Sequence, residues 1–271
     1  MPGMKARPEK RRIAQSFGFA AQRYDGVAAL QREAGHQLLA WVDARVEADA
    51  LVLDAGAGTG FFTAELALRR PAMRLMALDL SEGMLNVAGE RFKGWRVRGD
   101  MEALPLSDAC IDLIFSNMAI QWCDADVVFR EFRRVLKPGG AVCFTSLGPA
   151  TLGELRGAWA SVDAGVHVND FASQAALLEA LASSGFSVPV FETRCRELEY
   201  PDAMALMREL KCLGAHNLMP DRARGLMGKS ALGTLLRIYR EQFPAGEGVR
   251  ATFEVFQGVA NVIAQGQADH G

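Results

Sequence analysis

Apolar residues along this chain follow two alternating spacings. Between positions 51 and 146, short apolar runs of strand length are separated by longer stretches with apolar residues on one helical face. The runs at 51–54, 74–79, 95–100, 111–117 and 141–146 predict strands, and 60–69, 81–92 and 125–136 predict the helices between them. Ser81 stands where the second helix needs an N-cap, and Lys137-Pro138-Gly139-Gly140 stops the third and opens a turn. Strands this apolar, joined by helices, imply an α/β, doubly wound, mostly parallel sheet covered on both faces. Upstream, Ile13, Phe17, Ala20 and Ala21, then Leu30, Ala34, Leu38, Leu39 and Val42, recur at helical spacing, so 13–48 reads as N-terminal helices broken at Arg23-Tyr24-Asp25. After 146 the alternation loosens. Segments 151–160 and 173–183 read as helices, 161–171 as a loop holding His167 and Asn169, and 187–193 as a strand. Residues 201–243 read as two or three helices with breaks at Gly214, Pro220, Gly225 and Gly228. A last strand follows at 251–259, where Thr252-Phe253-Glu254-Val255-Phe256 alternates cleanly. Seven strands result, with a helical insertion before the last. Insertions of this kind on a cofactor-binding fold usually serve the second substrate.

The first strand runs into Asp54-Ala55-Gly56-Ala57-Gly58-Thr59-Gly60. An acid, a tight glycine turn and then a helix form a binding turn, because glycine lets the backbone bend sharply and lets a ligand approach main-chain N–H groups. A dinucleotide fingerprint needs its third glycine after two intervening residues. Here the glycines close one residue early, and Phe61 and Phe62 fill the next positions. The run resembles motif I of class I methyltransferases, which bind S-adenosylmethionine.

Ligands on such sheets bind at the carboxyl ends of the strands. Asp54, Asp79, Asp100 and Asn117 all fall there. Asp79 can accept hydrogen bonds from both ribose hydroxyls, and Asp100 from the adenine amino group. Met101 offers a backbone N–H and an apolar wall, and Leu80 and Met84 can sandwich the purine. The glycine turn and Asn117 face the methionine part. Tyr24, at the break between the N-terminal helices, is a candidate pocket residue.

Composition narrows the classes. Half of the 271 residues are hydrophobic, enough for one large α/β domain with an appended piece or for two small domains. The formal net charge of −2 gives no reason to expect nucleic acid. No apolar run is long enough for a membrane span. No apolar stretch follows the basic residues between Lys5 and Arg12, so they do not read as a secretory signal. Five scattered cysteines without a C-x-x-C pair suit reduced thiols in the cytoplasm. No ligand cluster suggests a metal.

Further motifs point to a narrower family. They are Ser116-Asn117-Met118-Ala119-Ile120-Gln121-Trp122-Cys123, Arg134-Val135-Leu136-Lys137-Pro138-Gly139-Gly140, and Leu152-Gly153-Glu154-Leu155 with Trp159. Phe17-Gly18, Ala20-Ala21, Tyr24-Asp25 and Leu30-Gln31-Arg32 join them near the N-terminus, and Leu210-Lys211-Cys212-Leu213-Gly214-Ala215, after Met207-Arg208, lies in the insertion. All resemble the malonyl-acyl-carrier-protein O-methyltransferases of biotin synthesis. The resemblance implies a seven-stranded class I methyltransferase domain over 13–260, a flexible basic tail at 1–12, a helical lid at 201–243 and a C-terminal tail at 261–271. It implies methyl transfer from S-adenosylmethionine to the free carboxylate of malonyl on acyl carrier protein, giving a methyl ester that starts pimeloyl synthesis. It adds Gln121 and Trp122 to the cofactor site and His167, Asn169, Arg208 and Lys211 to the substrate site.

A carboxylate is already ionised at neutral pH, its ordinary pKa being about 4. It needs no general base, so alignment rather than acid–base chemistry should dominate. Tyr24 and His167 are the candidates for a catalytic role. In the resembling family a basic residue often sits between Asn and Phe of the His-x-Asn-x-Phe stretch. Here His167-Val168-Asn169-Asp170-Phe171 places an acid there. Either another cation orients the carboxylate (His167, Arg23, Arg208 or Lys211), or the acceptor differs. Basic residues of the insertion, chiefly Arg208, Lys211, Arg222, Arg224 and Lys229, are expected to meet the acidic carrier. Two alternatives stay open: a methyltransferase for a small quinone-precursor type of acceptor, and a non-catalytic methyltransferase-like assembly factor. The intact acids and glycines of the turn argue against the second.

Overall fold

The apolar runs pair into one sheet, seen in a computed structural model that describes residues 9–215 and 229–263. Strands β1 (Leu51–Ala55), β2 (Arg74–Asp79), β3 (Trp95–Arg98), β4 (Ile111–Ser116) and β5 (Leu136–Leu147) are mutually parallel. Strand β8 (Gly248–Val262) runs antiparallel beside β5, and β6 (Phe186–Tyr200) lies antiparallel beyond it at the edge. The order is β3-β2-β1-β4-β5-β8-β6, with the two-residue β7 (Pro244–Ala245) paired to β8. The order reverses between β1 and β4, and a crevice opens there at the strand ends.

Helices cover both faces. Helix α2 (Ala29–Asp43) and α3 (Phe61–Arg69) bury Leu38, Leu39, Phe62 and Leu66 against Val52 and Phe115. Helices α5 (Ala125–Val135) and α7 (Gln174–Ser183) close the other face over Phe129, Phe132, Phe144 and Phe186. Helix α4 (Glu82–Arg91) starts at Ser81, whose hydroxyl accepts from Met84 N. Helix α1 (Lys10–Tyr24) packs on α4 through Ala21, Met84 and Val87. A separate core gathers α6 (Gly153–Ala160), α8 (Ala203–Cys212) and α9 (Lys229–Gln242) on the far end of β8, around Trp159, Leu206, Tyr239 and Phe253. The helical insertion thus falls between β6 and β8, as expected.

Several boundaries differ from the sequence expectations. Helix α1 already includes Lys10, Arg11 and Arg12, so the segment read as a basic tail is helical at its end. Strand β3 stops at Arg98, and Asp100 lies beyond it in an isolated bridge with Ala103. Leu136 begins β5 rather than ending α5, and the turn at Lys137–Gly140 becomes an irregularity within that strand, with Gly139 at φ +77°. Strands β6 and β8 are longer than 187–193 and 251–259. The extra part of β6 carries Arg194, Arg196, Glu197 and Glu199 on an open sheet edge, where charge is tolerated and discourages edge-to-edge pairing. No apolar alternation marks such a segment. Of the expected lid, Pro220, Arg222, Arg224, Gly225, Gly228 and the Lys229 side chain lie outside the described residues.

Candidate active site

The glycine turn leaves β1 and enters α3 with Gly56, Gly58 and Gly60 all left-handed, at φ +79°, +56° and +72°. A side chain at Gly56 would collide with Ala119. One at Gly60 would come within 2.8 Å of Ala88 Cβ, so Gly60 holds α3 against α4 rather than lining the site. Asp79 ties the turn down. Its Oδ2 accepts from Gly58 N at 2.9 Å and its Oδ1 from Ser81 N at 2.7 Å. Burial raises its pKa, opposed by these backbone donors and that of Leu80. Each carboxylate oxygen keeps a second lone pair, so ribose hydroxyls can still be accepted.

Three spaces meet around this turn. The first, largely apolar chamber lies between α1 and the strand ends. Asp79, Leu80, Met84, Asp100, Met101 and Trp122 line it, and Lys10, Phe17 and Tyr24 close it. Asp100 is not idle there. Its Oδ1 accepts from Lys10 Nζ at 3.0 Å and from Glu102 N at 3.0 Å, and Lys10 also pairs with Glu102 at 2.8 Å. Nothing in the sequence pattern marked Lys10, which lies 90 residues from Asp100.

The second recess lies on the other side of the turn, against Asp54, Gly58, Asn117, Gln31 and Arg32. Asp54 is only 2% exposed and accepts from Thr63 Oγ1 at 2.5 Å. Burial, with the nearby Asp79 charge adding to it and the Thr63 bonds opposing, pushes its pKa up to about 7. Arg32 donates to the Asp25 carbonyl at 2.5 Å and stands over the Phe61 ring. Asp25 in turn pairs with Arg91 at 2.5 Å and accepts from Thr59 Oγ1 at 2.8 Å, which clamps the α1–α2 junction onto the glycine turn. Asn117 is fixed at both ends, donating to the Gln31 carbonyl at 2.9 Å and accepting from Thr145 Oγ1 at 2.7 Å.

The third space adjoins the first through Phe17, Tyr24 and Trp122 and is walled by Leu30, Leu210, Leu213 and Phe253. Phe17 wedges Trp122 edge-on at 5.3 Å. Gln121 lines this space and not the first chamber, because the 3-10 turn at Ile120–Trp122 rotates it away while Trp122 faces both. Asn169 lines this space, 8% exposed, its carbonyl accepting from Arg156 Nη2 at 3.2 Å. Tyr24 touches all three spaces. Burial, then the Asp79 and Asp25 charges, push its hydroxyl well above the ordinary tyrosine pKa, so it is a neutral donor and not a base.

Other expected substrate residues are placed elsewhere. His167 stacks flat on Trp159 at 3.7 Å and its Nε2 meets Asp163 Oδ1 at 2.7 Å, away from the three spaces. Arg208 and Lys211 sit on the exposed face of α8 while Leu210 turns inward, and Arg23 is exposed too. Among the described residues, no group of three potential metal ligands occurs. Gln31, Arg32, Phe17 and Lys10 are the site residues that sequence reasoning gave no role. The first three stood within quoted motifs, but helical spacing alone does not say which side faces a ligand.

A doubly wound sheet with a glycine turn, an acid after β2 and an apolar slot beside them defines a class I methyltransferase. A profile described as a methyltransferase domain matches residues 53–144. The chain is 45% identical over 253 residues to the malonyl-[acyl-carrier protein] O-methyltransferase of Methylococcus capsulatus, covering 92% of each. It belongs to the malonyl-acyl-carrier-protein O-methyltransferase family. The biotin biosynthesis bifunctional protein BioHC of Cellvibrio japonicus is 44% identical over 253 residues, 92% of this chain and 49% of that one. Among solved structures, the geranyl diphosphate C-methyltransferase of Streptomyces coelicolor, in complex with Mg2+, geranyl diphosphate and S-adenosyl-L-homocysteine, gives a TM-score of 0.54 at 16% identity, over 89% of this chain and 85% of that one. Among the described residues, no helix is long and apolar enough to cross a membrane.

Proposed function

We propose that this chain transfers the methyl group of S-adenosylmethionine to the free carboxylate of malonyl carried on acyl carrier protein, for biotin synthesis. The observation that carries this is the near-complete relationship to a malonyl-carrier methyltransferase, 45% identical over 92% of both chains. The same relationship favours this acceptor over a quinone precursor and over an assembly role. The residues present fit the cofactor. Leu80, Met84 and Met101 offer apolar faces for a purine, Asp79 keeps acceptor sites for ribose, and Arg32 opposite Asp54 suits an amino-acid zwitterion. The cofactor supplies an electrophilic methyl on a sulfonium.

The protein's part is alignment. An acceptor oxygen forms the bond to the methyl carbon while the carbon–sulfur pair leaves on sulfur, and no proton moves. A negative carboxylate and a positive sulfonium both become neutral, a change favoured where water is excluded. The apolar walls of the first and third spaces, meeting at Phe17, Tyr24 and Trp122, provide that exclusion. Neutral Tyr24 can orient an oxygen without competing for it. The exposed cations Arg208 and Lys211 on α8 would meet the acidic carrier outside, as the expected lid at 201–243 requires. The five cysteines are free of disulfides, which suits a reducing cytoplasm. Mass spectrometry of malonyl carrier protein after incubation with enzyme and S-adenosylmethionine tests the proposal. One added methyl on the malonyl group is expected, and an unchanged carrier would refute it.

A further inference from the structure

Gln31, the third residue of α2, lines both the second recess and the third space. Tyr24 does the same, so the two stand where the cofactor side and the acceptor side meet. The Gln31 backbone is held, since its carbonyl accepts from Asn117 Nδ2 at 2.9 Å. Its amide is not held, and Oε1 is buried without a hydrogen-bond partner. A buried amide left unpaired is unfavourable and points to a missing partner. A half-turn about the last torsion, which is broad for this side chain, presents Nε2–H in place of the oxygen. Two further amides line the space: Asn169, and Gln121, whose Nε2 donates to the Met118 carbonyl at 2.6 Å and whose Oε1 is also unpartnered. Among the described residues, no Lys, Arg or His lines this space.

We propose that Gln31, together with the Tyr24 hydroxyl, holds the acceptor carboxylate, so that it is recognised by neutral donors instead of a cation. This rests on the malonyl-carrier reading above. In a space of low dielectric a cation would bind the carboxylate strongly and lower its basicity. Amide and phenol hydrogens orient the anion and leave its attacking lone pair free. After transfer the ester is neutral, the charge-assisted part of these hydrogen bonds disappears, and product leaves more readily. An acceptor without the carboxylate would leave both donors unpaired and be rejected.

Gln31→Leu and Gln31→Glu test this against the unaltered protein, with malonyl carrier protein and a carrier-free malonyl thioester. Gln31→Leu should lower kcat/KM on both by roughly 10- to 150-fold, the range for a hydrogen bond to an ionised group. It should keep its melting temperature and its affinity for S-adenosylhomocysteine. It should also lose the preference for the malonyl thioester over the methyl ester, measured by inhibition. Gln31→Glu should be inactive at pH 8 and regain activity toward pH 5 as its carboxyl takes up a proton and becomes a donor, a recovery the unaltered protein lacks. Full activity of Gln31→Leu beside an active unaltered protein overturns the inference and leaves the malonyl reading standing. A parallel loss of S-adenosylhomocysteine affinity assigns Gln31 to the cofactor and overturns it too. An unaltered protein that leaves malonyl carrier unmethylated refutes the reading itself.

Discussion

Asp79→Ala should damage the protein in two separable ways. The side chain holds Gly58 N at 2.9 Å and Ser81 N at 2.7 Å, so it fastens the glycine turn to the start of α4. Removing it strands two backbone donors, one beside a half-open chamber and one buried. A stranded buried donor costs about 1–3 kcal/mol. The Gly58 site can admit water, and deleting a half-buried carboxylate recovers some desolvation, so a net loss of about 2 kcal/mol is expected. At roughly 2–4 °C per kcal/mol for a chain of this size, the melting temperature should fall by about 4–8 °C. Affinity for S-adenosylhomocysteine should fall separately by about 1.5–3 kcal/mol, the value for hydrogen bonds to a charged group, or roughly 10- to 150-fold. Calorimetric titration below the variant's melting range measures the second effect without the first. A lower melting temperature with unchanged affinity would show that Asp79 only buttresses the turn, and the ribose assignment would fall.

Asp54→Asn probes the buried acid at the end of β1. Its pKa of about 7 lies above the unfolded value, so its stabilising contribution is present below about pH 3.8 and fades as pH rises to about 7. Urea unfolding should therefore show the variant gaining relative to the unaltered protein between pH 5 and pH 8, and a constant difference would contradict the assignment. His167→Ala should lower stability by about 0.5–1.5 kcal/mol through the lost stack on Trp159, with kcat/KM unchanged; a large rate loss at full stability would return His167 to the site. Arg208→Glu with Lys211→Glu should lower kcat/KM on malonyl carrier protein and weaken its salt dependence, which acts over ~8–10 Å at physiological ionic strength. Turnover of a carrier-free malonyl thioester should stay constant, and equal losses on both substrates would end the docking idea.

The centre of the parallel half, β1, β4 and most of β2, was legible because those strands are buried and therefore apolar, whereas the edge strand β3 alternates Trp95, Arg96, Val97 and Arg98 and is mostly exposed. Asp54 and Asp79 were legible as strand-end positions because each closes an apolar run, whereas Asp100 falls two residues beyond the end of β3. Strand β6 beyond Thr193 was not legible, since an exposed edge imposes no apolar pattern on Arg194, Arg196, Glu197 and Glu199. His167 was misplaced because a loop histidine carries no periodic signal, and its stack on Trp159 depends on how residues 161–166 fold back. Gln121, expected beside Trp122 at the cofactor site, lines the third space and not the first chamber, since a single 3-10 turn decides which of two neighbours faces that chamber. Gln31 and Lys10 depend on how helices far from the motif dock, information that spacing along the chain does not hold.

Helix α1 has a bearing on exchange with solvent. Its two ends are fastened by polar contacts that are only partly buried, Lys10 to Asp100 and Glu102 at one and Asp25 to Arg91 at the other. Such pairs contribute roughly 0–1 kcal/mol each. Its apolar anchorage is one small cluster of Ala21, Met84 and Val87 with Phe17 and Tyr24 beside it, together with buried Ile13 and Ala20, and Phe19 is 83% exposed. This anchorage predicts that the helix lifts away more readily than the sheet unfolds, as a local opening. A ligand enclosed beneath it binds the lowered form alone and stabilises that form by mass action. Backbone amides of residues 13–24 should then exchange with deuterium sooner than those of β1 and β4, and the gap should close as S-adenosylhomocysteine is added. The first helix would thus report cofactor occupancy through its own exchange, with β1 and β4 as the protected reference.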